Sequence, residues 1–177
     1  MASLPNNIFL IGYRGSGKTS VARVLAERLH WTWCDADALL EQRHGKTIRQ
    51  IFAEEGESGF RDREAAILHD LAQERQRVIA TGGGVILRDD NRRCLKESGA
   101  VIWLSAPADV LWQRLQQDAS TGERRPNLAQ GGLAEIVDLL RMRQPWYAEC
   151  ASLIVDSDKP IAAVVDKIVA WLQTARD

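Results

Sequence analysis

Gly12-Tyr13-Arg14-Gly15-Ser16-Gly17-Lys18-Thr19 fits G-x-x-x-x-G-K-[ST], the glycine loop that cradles phosphates. An apolar run, Ile8–Ile11, precedes it and reads as a buried strand. Val21 to Leu29 follows with helical spacing of its apolar residues. Strand, glycine loop and helix are the context this motif requires, and a chance glycine-rich turn seldom has both flanks. The glycines let successive backbone N–H groups converge on an anion, and the new helix adds its free N–H groups and positive dipole end. Gly15, Ser16, Gly17, Lys18, Thr19 and Ser20 form the expected cradle. Lys18 reaches the β- and γ-phosphates, and the Thr19 hydroxyl is a Mg²⁺ ligand. Binding of a nucleoside triphosphate follows, and the open question is where its terminal phosphoryl group goes.

Outward from the loop, apolar runs recur at Trp31–Cys34, Val78–Ala80, Val101–Leu104 and Leu153–Val155, with helical patterns between them. Such alternation predicts an α/β fold in three layers: a five-stranded parallel sheet with helices on both faces. At 177 residues, with neither linker nor internal repeat, the chain is expected to be one domain, 1–177. A net charge of −1 gives no basic field for nucleic acid, and no apolar run is long enough for a membrane span. The first residues lack a signal-peptide pattern, and Cys34, Cys94 and Cys150 form no paired spacing. A reduced, cytoplasmic setting is therefore expected. The six tryptophans are expected mostly in the core or lining a cleft.

Four further stretches carry chemistry. Asp35 and Asp37 end the second strand, and i and i+2 of an extended chain point the same way, here at the carboxyl end where open α/β sheets bind ligands. Asp35 then suits Mg²⁺ through a water and Asp37 suits a proton-accepting role, whereas the plain alternative is a helix cap near Ala38. Thr47 and Gln50 form a capping box for a short helix to about Glu54 or Glu55. Gly56–Gly59 breaks it, and a longer helix runs from Phe60 to about Glu74. Arg61 and Glu64 share a face of that helix, either as a solvated ion pair or as a guanidinium fork held for a carboxylate. Thr81-Gly82-Gly83-Gly84 follows the third strand, and three glycines suit a close approach of backbone to ligand. A helix is expected from Ala108 to about Leu115. The stretch from about 116 to 130, with Gly122-Glu123-Arg124-Arg125-Pro126-Asn127, reads either as a basic, mobile lid over the triphosphate or as an ordinary solvated loop, and composition does not choose between them. A helix over Leu133–Arg143 is expected to be disrupted or kinked at Gln144-Pro145. The turn Asp156-Ser157-Asp158-Lys159-Pro160 neighbours a nucleotide base in this plan, and Ile161 to about Thr174 closes the chain as a helix.

Taken in order, G-Y-R-G-S-G-K-T, D-A-D, G-F-R-D-R-E at Gly59–Glu64, T-G-G-G, R-R-P and R-Q-P-W-Y at Arg143–Tyr147 resemble the shikimate kinase family of P-loop enzymes. The resemblance spans nearly the whole chain. It implies transfer of the γ-phosphoryl group of ATP to the 3-hydroxyl of shikimate with Mg²⁺, by a cytoplasmic monomer. Carried over residue by residue, it implies Asp37 on the acceptor hydroxyl, Arg61 and Arg143 on the substrate carboxylate, and Gly82, Gly83 and Gly84 against the substrate ring, with substrate-binding helices over about 38–75. It further implies Thr19 and Asp35 at the metal, Arg125 as the lid arginine, and Arg114 and Lys159 on the nucleotide side. The chain departs from the family pattern at Asn127, after R-P, and at Gly59. Two other readings share parts of this pattern. Against a gluconate kinase stand the paired arginines and the triple glycine; against a non-catalytic nucleotide-binding module stand Lys18, Thr19, Asp35 and Asp37.

Overall fold

The computed structural model describes residues 5–117 and 132–174. The elements in chain order are β1 (Asn7–Ile11), α1 (Lys18–Leu29), β2 (Thr32–Asp35), α2 (Ala36–His44), α3 (Ile48–Ala72) and β3 (Arg77–Ala80). A 3₁₀ turn (Val85–Leu87) follows, then α4 (Asp89–Ser98), β4 (Ala100–Ser105), α5 (Ala108–Gln117), α6 (Gly132–Cys150), β5 (Leu153–Asp156) and α7 (Ile161–Thr174). The five strands form one parallel sheet in the order β2-β3-β1-β4-β5.

The three layers follow from the period of two along each strand. Phe9 and Ile11 of β1, Ile79 of β3, and Val101 and Trp103 of β4 face a core filled by α2, α3, α4 and α6. Ile8 and Leu10, Val78 and Ala80, and Ala100, Ile102 and Leu104 face the other way, onto α1 and α7. Both faces of β1 are therefore dry, and each fully buried Ile, Leu or Phe there contributes about 1.5–3 kcal/mol. The neighbours β1 and β3 send their following helices, α1 and α4, to opposite faces. The crevice this opens at their carboxyl ends is where such sheets bind ligands.

Several local expectations are corrected. Helix α2 starts at Ala36, because the Asp35 carboxylate accepts from the Asp37 and Ala38 N–H groups and caps it. Asp37 therefore stands in a first helical turn and not on extended chain. The Thr47–Gln50 capping box forms as expected. The break after it is confined to Gly56, whose φ of 70° and ψ of −172° kink α3; residues 57–59 are already helical again. Helix α6 continues through Pro145 to Cys150. The proline forfeits one backbone bond, but Tyr147 and Cys150 beyond it are buried in the core, and that burial holds the last turns. Helix α4 has no counterpart in the apolar periodicity, since only Asn91 and Leu95 of its ten residues are buried. Of the tryptophans, Trp103 is core, Trp33 on edge strand β2 is 40% exposed, and the other four are half-buried. The expected lid lies outside the described residues apart from Gln116 and Gln117, which close α5; Arg125 and Asn127 are among those outside.

Candidate active site

The loop after β1 is built on left-handed glycines. Gly15 has φ 79° and Gly17 has φ 86°, and Gly17 is the N-cap of α1. No side-chain hydrogen bond caps this helix, and an N-terminus of this kind suits an anion. Lys18, 8% exposed, donates from Nζ to the carbonyls of Gly12 and Tyr13 at 2.8 Å each and to Ser16 Oγ at 3.4 Å. Its charge is thus held over the loop by the loop's own acceptors. Thr19 and Ser20 lie in the first turn of α1.

Asp35 does two things at once. Oδ1 caps α2, while Oδ2 accepts from Thr19 Oγ1 at 2.6 Å. The cap and the metal-side reading are compatible because a carboxylate has two oxygens. A hydroxyl and a carboxylate side by side form a hard-oxygen donor set that fits Mg²⁺. The neighbouring Cys34 thiol is pushed up to about 11 by burial, so it stays protonated and is a poor nucleophile.

The glycine turn after β3 is where the dispersed side chains meet. Gly82, Gly83 and Gly84 are all buried. A Cβ on Gly82 would lie 2.6 Å from Glu64 Oε1 and 2.9 Å from Asp37 Oδ1; on Gly84, 2.5 and 2.6 Å from the two terminal nitrogens of Arg61. On Gly83 it would lie 3.3 Å from the Arg14 backbone nitrogen of the phosphate loop. Side chains at these positions would fill the space that Asp37 and Arg61 occupy. Arg143 approaches from α6, with NH1 3.4 Å from the Gly83 carbonyl and its guanidinium 5.7 Å above the Tyr13 ring. Asp37, Arg61 and Arg143, which are far apart in sequence, therefore surround one turn beside the phosphate loop.

Burial decides the Arg61–Glu64 question. Their side chains are 12% and 5% exposed, and NH1 donates to Glu64 Oε2 at 2.7 Å. This is a desolvated, oriented pair and not a solvated surface one. Arg61 also donates from Nε and NH2 to the exposed Glu57.

On the nucleotide side, Arg114 of α5 donates to the Gly15 carbonyl at 3.3 Å and to the Ser157 carbonyl at 2.8 Å. It ties the phosphate loop to the turn after β5. Lys159 in that turn is 62% exposed and 3.8 Å from Asp156, a screened pair of small energetic weight.

Two participants escaped the sequence reading. Tyr13, at a variable position of the loop motif, is 2% exposed and forms a ring platform for both Arg14 and Arg143. Tyr147 donates its hydroxyl to the Gly83 carbonyl at 2.5 Å. It lies four residues after Arg143 on one helix face. That spacing was visible, but a helix expected to fail at Pro145 concealed it.

The shikimate kinase family model matches residues 14–173. A shikimate kinase of Nitratidesulfovibrio vulgaris is 43% identical over 173 residues, covering 97% of this chain and 98% of that protein. The solved shikimate kinase of Acinetobacter baumannii in complex with shikimate superposes with a TM-score of 0.89 at 37% identity, over 96% of this chain and 94% of that one. A gluconokinase from Sinorhizobium meliloti superposes with a TM-score of 0.59 at 21% identity, covering 99% of this chain and 95% of its own, which is a likeness of fold alone.

Proposed function

The chain belongs to the shikimate kinase family and is an enzyme of that activity, and from this premise we propose how its residues divide the work. The observation that carries the proposal is the convergence of Asp37, Arg61 and Arg143 on the Gly82–Gly84 turn beside the phosphate loop.

Gly15, Ser16, Gly17, Lys18, Thr19 and Ser20 hold the triphosphate of ATP, with Arg114 and Lys159 on the side of the base. Arg61 and Arg143 grip the carboxylate of shikimate, Glu64 keeps the Arg61 fork oriented, and Gly82, Gly83 and Gly84 let the ring approach the backbone. The 3-hydroxyl then faces the γ-phosphorus. Its oxygen forms the new P–O bond as the bond to the bridging oxygen breaks, and ADP leaves. Asp37 orients the hydroxyl and takes its proton late, as a loose transition state requires. Thr19 and Asp35 would hold Mg²⁺, the Asp35 contact running through a water; the ion supplies neutralisation of phosphate charge. Arg125, which lies outside the described residues, would add positive charge at the transferring group. The protein acts as a cytoplasmic monomer of one domain, without nucleic acid or membrane partners. Among the described residues no helix is long and apolar enough to cross a membrane.

The test is an ADP-release assay with ATP and a panel of acceptors: shikimate, gluconate and nucleoside monophosphates. Shikimate is expected to be the acceptor turned over. Turnover of gluconate with none of shikimate would overturn the assignment.

A further inference from the structure

The carbonyls of the glycine turn are satisfied in two different ways. Those of Gly82 and Gly84 accept from the Val85 and Leu87 N–H groups within the turn. That of Gly83 accepts from two side chains of α6, Tyr147 Oη at 2.5 Å and Arg143 NH1 at 3.4 Å. These two donors are unequal. The tyrosine is fully buried and its ring stacks on Trp103 with centroids 5.5 Å apart. The arginine contact is at the outer limit of a hydrogen bond, on a half-buried side chain that rests over Tyr13.

We propose that Tyr147 is a positioning residue for substrate binding: its hydroxyl keeps the buried Gly83 carbonyl partnered, so that Arg143 can leave that carbonyl for the substrate carboxylate. This inference rests on reading Arg143 as a ligand of the shikimate acid. Without the hydroxyl, Arg143 has two demands on it. Turning to the substrate would orphan a buried acceptor, and staying would forgo the acid. The turn also sits against Asp37 and Glu64 through Gly82, against Arg61 through Gly84 and against Arg14 through Gly83. A hold on Gly83 therefore keeps the turn in place against Asp37 and Arg61 on the substrate side. The work falls on substrate binding and not on ATP, because the Lys18 and Thr19 contacts are made elsewhere.

Tyr147→Phe removes the hydroxyl and keeps the ring that stacks on Trp103. Parent and variant are assayed side by side, varying shikimate and ATP in turn. The shikimate KM is expected to rise between about fivefold and about a hundredfold, the range for orphaning a buried polar group. The ATP KM is expected to stay within about twofold. A shikimate KM within twofold of the parent would overturn the inference, and so would an ATP KM that rises in step, since that marks general loosening. A parent that does not turn over shikimate would instead strike the functional reading on which this one rests. If the Phe variant does not fold, hydrogen exchange on the parent decides. The segment Thr81–Gly84 is expected to be at least as protected with shikimate as without it, and its deprotection on shikimate binding would refute the tyrosine's hold.

Discussion

Replacing Gly84 by alanine separates the site's chemistry from the fold's stability. The backbone at Gly84, φ −104° and ψ 7°, is open to any residue, so no conformational strain is added. The new methyl would lie 2.5 and 2.6 Å from the terminal nitrogens of Arg61 and 2.8 Å from its central carbon. Contact distance for such atoms is about 3.5 Å, so the guanidinium must retreat by about 1 Å. The retreat pulls against the 2.7 Å bond from NH1 to Glu64. Because the obstacle is the end of a long side chain, the fold accommodates it at about 1 kcal/mol, the scale of one weakened hydrogen bond. That corresponds to a Tm lower by about 2–4 °C for a chain of this size. Catalysis has no such tolerance, since a misplacement of about 1 Å can cost about a hundredfold. Gly84→Ala is therefore expected to lower kcat/KM for shikimate by roughly ten- to a hundredfold and leave the ATP KM within about twofold. Steady-state ADP release, varying each substrate, and a thermal melt on the same preparation check both halves. A variant with parental shikimate kinetics would refute the placement of the substrate acid at Arg61. Loss of activity with a collapsed melting transition would refute the separation of site from fold.

Other expected outcomes follow from the same geometry. Asp37→Asn keeps the shape and loses the proton acceptor, so kcat is expected to fall by about a hundredfold or more with a small change in shikimate KM; retained turnover would remove Asp37 from its role. Arg61→Lys keeps the charge and loses the fork, and shikimate KM is expected to rise by roughly tenfold, with unchanged kinetics counting against a bidentate grip. Burial raises the Cys34 and Cys150 thiols from 9.0 to about 11, so the folded chain keeps protons that the unfolded chain has lost. Their contribution to stability is whole below pH 9 and declines from there to about pH 11. Melting temperatures taken across that window are expected to decline less steeply once both thiols are replaced by alanine; an unaltered slope would contradict the linkage.

Much was legible in the chain because the signals are local. A glycine loop between an apolar run and an amphipathic one states a phosphate site by itself, since spacing and backbone freedom make the cradle. The alternation of apolar strands with helical patterns states a parallel sheet, since a parallel crossover needs a helix between strands. Thr47 and Gln50 could be matched as a capping box for the same reason. Local signals failed where burial overrode them. Helix α6 passes through Pro145 because Tyr147 and Cys150 are wanted in the core, and α4 forms with two buried residues because Asn91 bonds the Val85 carbonyl and Leu95 fills the sheet's face.

Sequence alone therefore determined the α/β alternation, the phosphate loop and the cast of charged residues, each being a property of neighbours along the chain. Tertiary structure decided which of those residues work together. The strand order β2-β3-β1-β4-β5 sets the Gly82–Gly84 turn beside the phosphate loop, and the folding of α2, α3 and α6 around it brings Asp37, Arg61 and Arg143 to that turn. Whether Arg61 and Glu64 were a solvated pair or a held fork depended on the water left around them, and only packing from distant parts of the chain removes that water.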